Sequence, residues 1–189
     1  MRPPPPGLTD LRAALPQAIL EIAYATPDNF TGAPLAGYEA PGAWLRDRAA
    51  AALVRAAAAL EAEGLGVVLF DAYRPVRATE AMWAWAQRVG RTDLFTDGWI
   101  ARPSRHNRAI AVDLGLWELR SGARVDMGSP FDAFTPESHV RGVGGAALTA
   151  RLRLRRALVD EGFTPLDSEW WHFEHADPDA GLLDLPYGP

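Results

Sequence analysis

The stretch Ser104-Arg105-His106-Asn107-Arg108-Ala109-Ile110-Ala111-Val112-Asp113 and the tetrad Glu169-Trp170-Trp171-His172 lie far apart in the chain but read together as one metal site. Between them they supply two imidazoles, a carboxylate, and a second carboxylate three residues before the last imidazole. A hydrolytic zinc centre needs that set: three protein ligands, an open coordination position and a base close by. The chain has only four histidines, and two of them fall in these stretches.

The spacing also dictates shape. On a helix, His106 and Asp113 would stand about 10.5 Å apart along the axis, too far to hold one ion. On a straight strand their odd separation would point them to opposite faces. The chain must therefore bend, and the bend is expected at Asn107-Arg108-Ala109, ahead of the strand that carries Asp113. Glu169 and His172 need a turn or bulge near Trp170 to share a side. Alone, each stretch has a plainer reading, Asp113 as a cap or loop residue and His172 as a packed ring. Their joint occurrence points to hydrolysis.

Composition narrows the rest. The 189 residues suit one domain of ordinary size. There is no cysteine, so any zinc must sit on His, Asp or Glu. All 19 basic residues are arginine, which removes lysine as base, Schiff-base amine or phosphate clamp. A net charge of −5 argues against nucleic acid as a partner. No apolar run is long enough for a membrane span. Met1-Arg2 followed by Pro3 to Pro6 leads into no apolar segment, so no signal peptide is expected and the chain reads as cytoplasmic.

Residues 1–9 read as a flexible proline-rich leader and 10–189 as a single domain. Strand character is expected over Ile19 to Tyr24, Val67 to Phe70, Ile110 to Leu119 and Trp170 to Phe173. Helices are expected over Ala43 to Glu63, Val76 to Val89 and Ala146 to Glu161, with a long loop from Asp126 to Gly145. The mixed order favours an α+β fold with a mostly antiparallel central sheet flanked by helices.

At this point the motifs resemble a known family. His106 and Asp113 with Glu169-Trp170-Trp171-His172 are similar to the zinc D-Ala-D-Ala peptidases, whose pattern is S-x-H-x-x-G-x-A-x-D followed by E-x-W-H. That group also includes D,D-carboxypeptidases, L-Ala-D-Glu endopeptidases and the hedgehog signalling domain. Tyr24 to Gly32, Phe70-Asp71-Ala72-Tyr73-Arg74-Pro75 and Asp126 to Asp132 resemble blocks of the VanX-type dipeptidases, in the same order. The resemblance implies a hedgehog/D,D-peptidase-like fold and one Zn2+ per chain on His106, Asp113 and His172. It implies Glu169 as general base and then acid, and Arg74 as oxyanion partner. Asp132 would hold the substrate ammonium, with Asp126 as its competitor, and Tyr24 and Ser104 would line the pocket. The implied substrate is the small dipeptide D-alanyl-D-alanine, in cell-wall precursor turnover or glycopeptide resistance. The rivals are a D,D-carboxypeptidase acting on longer muropeptides and a non-catalytic metal-stabilised binding module. Whether the chain forms a homo-oligomer is left open.

Two positions depart from the family pattern. Its glycine is Ala109 here, which would carry about 1 kcal/mol of strain if the backbone needs a positive φ. Gly115 stands where the dipeptidases carry a polar β-branched residue, and is expected to weaken the strand and widen the pocket. Arg77 is a rival to Arg74, and Asp71 is expected to order the arginine loop. His175 is expected to be solvated surface, while His139 is open between surface and a supporting role. Trp83, Trp85, Trp99 and Trp117 are expected in the core or pocket wall.

Overall fold

The continuous apolar run of Leu65–Asp71 and the apolar residues of Ala111–Glu118, buried along almost their whole length, build the two central strands of the fold. The computed structural model describes residues 3–188. Strands β1 (Leu8–Asp10) and β3 (Trp44–Arg46) form a small antiparallel pair. The main sheet has five strands: β2 (Ile19–Leu20), β4 (Leu65–Asp71), β5 (Ala111–Glu118), β6 (Phe163–Pro165) and β7 (His172–His175). Its order is β2-β4-β5-β7-β6, and every pairing is antiparallel except β2 with β4. The expected α+β class with a mostly antiparallel sheet is what the chain adopts.

Two long helices cover one face of the sheet. Helix α2 (Asp47–Ala62) packs on β4, α5 (Gly145–Asp160) packs on β5 and β6, and the two helices pack on each other. Alanines 49, 50, 52, 56 and 57 of α2 are buried beside Leu53 and Leu60, so the helix presents a smooth face that can approach closely. Val67, Leu69, Val112, Leu114 and Leu116 are all buried in the strands. Helices α1 (Leu11–Ala14), α3 (Val76–Val89) and α4 (Asp93–Thr96) complete the helical set. Helix α3 has its expected bounds, closed by Gly90 in the left-handed conformation at φ 74°.

Other boundaries moved for tertiary reasons. The stretch 1–9, expected to be unpaired, contributes the buried Leu8 and, through Leu8–Asp10, a pairing with β3; residues 1 and 2 lie outside the described residues. The helix expected from Ala43 starts only at Asp47, because Trp44–Arg46 is taken into that pair and the Arg46 amide donates to the Ala109 carbonyl. The strand character expected over Ile19 to Tyr24 is limited to Ile19–Leu20, and Ala23–Ala25 turns into a 3-10 helix. The strand expected from Trp170 begins at His172, since a turn occupies the preceding residues. Strand β6 has no counterpart among the sequence expectations.

Candidate metal centre

Sheet register assembles most of the site. Asp71 on β4 lies opposite Asp113 on β5, and Asp113 lies opposite His172 on β7. The three residues thus stand abreast on one face of adjacent strands. His106 arrives from the 3-10 turn Arg105–Arg108, which supplies the expected bend. Ser104 caps that turn, its hydroxyl accepting from the His106 amide at 3.3 Å. Ala109 ends it in the left-handed region at φ 56°. The other bend is also present: the His172 amide donates to the Glu169 carbonyl at 3.2 Å, closing a turn through Trp170 and Trp171.

Ala109 therefore occupies the conformation that its family equivalent fills with glycine. Left-handed backbone costs a non-glycine residue roughly 1–2 kcal/mol. Burying its methyl returns about 0.8 kcal/mol, and the stiffer unfolded chain returns about 0.4–1 more. The terms nearly cancel, so Ala109→Gly should change unfolding free energy by less than about 1 kcal/mol, measured by denaturant titration.

Three donor atoms converge. His106 Nε2 is 3.2 Å from His172 Nδ1 and 3.3 Å from Asp113 Oδ1, and His172 Nδ1 is 3.0 Å from that oxygen. Tetrahedral ligands at about 2.0–2.1 Å from zinc stand roughly 3.3 Å apart, so the triangle has the right size. The second nitrogen of each ring fixes its tautomer. His106 Nδ1 donates to the Ala72 carbonyl at 2.6 Å, and His172 Nε2 faces Glu174 Oε1 at 3.4 Å. A cation bound between them would take a lone pair from each inward nitrogen beside the Asp113 carboxylate, the outward nitrogens being held by these partners. His172 shows the same demand. Burial opposes its charge, yet the contacts with Asp113 and Glu174 push its pKa up to about 10, a proton standing in for a metal cation. Among the described residues this trio is the one group able to hold a metal ion.

Glu169, Arg74, Asp132, Tyr24 and Ser104 line the same cavity of about 80 Å³, together with the three metal donors. Burial pushes the Glu169 carboxyl up to about 7, with the Asp113 charge adding to it against His172, Arg74 and Trp171. Arg74 is buried, pairs with Asp71 Oδ2 at 2.9 Å and stands 3.8 Å from Asp113 Oδ2, its guanidinium 4.8 Å from the Tyr24 ring centroid. Asp71 also accepts from Tyr38 at 2.5 Å, so it does order the arginine loop. The Tyr24 hydroxyl donates to Asp132 at 2.7 Å. Burial holds the Asp132 carboxyl well above its usual range, the nearby Asp113 charge adding to the effect while the Tyr24 bond opposes it.

The rivals fall away by position. Arg77 is exposed and paired with Asp184 at 3.0 Å. Asp126 is exposed and caps Gly128 outside the cavity. His139 is exposed, set edge-on to Trp99. His175, expected at the surface, is buried at 8% exposure against Phe163 because it closes β7 beneath β6. Trp99 joins Phe134 in the cavity wall. Gly115 neither breaks β5 nor widens this cavity: it lies mid-strand and outside the lining.

Sequence reasoning missed two supports. Asn107 is fully buried; it donates to the Arg74 carbonyl at 2.9 Å and accepts from the Ser104 amide at 2.8 Å, tying the metal turn to the arginine loop. A polar residue between a ligand and an apolar strand was the available signal. Arg151, buried on α5, donates to the carbonyls of Met127, Glu137 and His139, pinning the loop that carries Asp132. Nothing local in the sequence marks it.

An α+β scaffold with two imidazoles and a carboxylate closing on one point, a buried glutamate beside them, has the parts of a metallopeptidase. Relatives by sequence agree. The D-ala-D-ala dipeptidase family of peptidases matches residues 5–187. The D-alanyl-D-alanine dipeptidase of Enterococcus faecalis is 36% identical over 179 residues, covering 87% of this chain and 85% of the relative. That of Streptomyces coelicolor is 37% identical over 181 residues, covering 86% and 89%. Among solved structures, the vancomycin resistance D,D-dipeptidase VanXYg in complex with a D-Ala-D-Ala phosphinate analog overlays with a TM-score of 0.49 at 19% identity, covering 91% of this chain and 67% of that one. This chain belongs to the D-ala-D-ala dipeptidase family.

Proposed function

We propose that the chain hydrolyses free D-alanyl-D-alanine to D-alanine with one zinc ion on His106, Asp113 and His172. The observation that carries this reading is the convergence of three lone-pair donors within 3.3 Å of one another, in a cavity that also holds Glu169. A zinc ion held there supplies Lewis acidity to the scissile carbonyl and acidifies water to a pKa of about 7. Glu169 takes the proton of the attacking water and passes it to the leaving amine nitrogen. Arg74, fixed by Asp71, faces the charge that develops on the carbonyl oxygen. Asp132 and Tyr24 receive the substrate's ammonium, whose charge restores ionisation to a carboxyl that burial disfavours.

The cavity is small, which supports a small substrate. About 80 Å³ is well below the roughly 300–1,000 Å³ of sites for drug-sized ligands. The test compares turnover of D-Ala-D-Ala with that of a pentapeptide ending in D-Ala-D-Ala. The expected result is strong preference for the dipeptide, and preference for the pentapeptide would overturn the proposal. No helix among the described residues is long and apolar enough to cross a membrane. A free dipeptide in the cytoplasm is the substrate pool this reading supports.

Two further outcomes follow from the site. Arg74→Ala should lower kcat by on the order of 10²–10³, the usual cost of losing one oxyanion donor, read by steady-state kinetics with zinc content unchanged. The acid limb of kcat/KM should follow Glu169. Burial raises its pKa from 4.5 to about 7, so the base form dominates only above that value, and a bound cation lowers the midpoint again. The rate should therefore climb with pH through a midpoint between those two values, as measured in a pH series of initial rates.

A further inference from the structure

Gly115 has a partner across the sheet that the catalytic reading leaves unused. Leu69 pairs with Leu114 and Asp71 with Asp113, so Phe70 is the extra residue of a β-bulge in β4. Its ring lies over Gly115: a Cβ built there would sit 2.9 Å from Phe70 Cζ and 3.0 Å from Cε2. The backbone at Gly115 is not in the left-handed region, so it is the ring, not strain, that refuses a side chain. The Phe70 ring also stacks on Phe131, centroids 4.8 Å apart and planes 13° from parallel. Phe131 also meets Trp171 at 5.4 Å and Tyr24 at 6.2 Å. The next residue is Asp132, at φ 56° in the left-handed region.

We infer that Gly115 and Phe70 are positioning residues for the ammonium end of the substrate: the missing side chain lets the bulged ring lie on β5 and clamp Phe131, which sets Asp132 and its partner Tyr24. This inference rests on the dipeptidase reading for its kinetic consequence, but the clamp itself can be tested without turnover. A side chain at position 115 would collide with this ring, so glycine and the clamp form a matched pair in this chain.

The test uses Gly115→Val, Phe70→Ala and the double variant, all zinc-loaded. Phe70 is only partly buried and the colliding atoms are at the far end of its side chain, so the ring can move while the fold persists. Amide hydrogen exchange over 131–133 should quicken in each variant. Each should raise KM for D-Ala-D-Ala about tenfold, the scale of one loosened charge-assisted contact, with kcat and zinc content unchanged. Inhibition by N-propionyl-D-alanine, which lacks the amine, should not change. The double variant should be no worse than Phe70→Ala, because both substitutions undo one clamp. Unaltered exchange over 131–133, fully additive KM effects, or a fall in kcat at constant KM would overturn the inference. If the native chain fails to cleave D-Ala-D-Ala, the dipeptidase reading falls, while the exchange comparison still decides the clamp.

Discussion

Glu169→Gln should leave zinc bound and lower kcat by on the order of 10²–10⁴, the range that general acid–base groups contribute. Glutamine keeps the shape and fills the same cavity wall but cannot take a proton. Three features make this the decisive residue for chemistry. Glu169 lines the cavity of the metal trio, but His106, Asp113 and His172 already complete that trio without it. The residue is 7% exposed, and burial pushes its pKa to about 7, where a base can both accept and return a proton near neutral pH. A purely structural metal site needs no such base, so retained zinc with lost turnover separates an enzyme from a metal-stabilised binding module. Retained turnover in Glu169→Gln would remove the assigned mechanism.

His172→Ala should have the larger effect on metal. Losing an outer partner of a ligand typically costs about 10–100-fold in affinity, and losing a ligand itself should cost more than about 100-fold. The consequence reaches stability. A ligand present at 100 times its dissociation constant stabilises the native state by about 2.7 kcal/mol, and that contribution disappears when the site no longer holds it. Chelation of the native chain should therefore lower Tm, whereas chelation of His172→Ala should leave Tm unchanged. Differential scanning calorimetry with and without chelator reads both. Equal Tm loss in the two proteins would mean that the trio is not where the metal acts.

Much of this was legible in the chain itself. The spacing of His106 and Asp113 demanded a bend, and the capped turn ending at Ala109 supplies it. Glu169 and His172 demanded a turn, and a hydrogen bond between them closes one. The helix over Val76–Val89 was legible because its apolar face and terminal glycine agree. What was not legible depends on distant partners. Trp44–Arg46 follows a turn-rich stretch and leads straight into an alanine helix, yet it becomes a strand because Leu8–Asp10 pairs with it. The Asp71-Asp113-His172 row exists only through sheet register, which no local pattern encodes. Gly115 looked like a gap in the pocket wall, and across the strand it proved to be the seat of the Phe70 ring. His175 looked polar and exposed, but the edge strand Phe163–Pro165 covers it.

The most direct measurement is zinc content of the purified chain by elemental analysis, paired with D-Ala-D-Ala hydrolysis before chelation, after chelation and after zinc is restored. One zinc per chain is expected, with hydrolysis lost on chelation and regained on restoration. A metal-free chain that cleaves the dipeptide at the full rate, or a zinc-loaded chain that does not cleave it, would contradict the account.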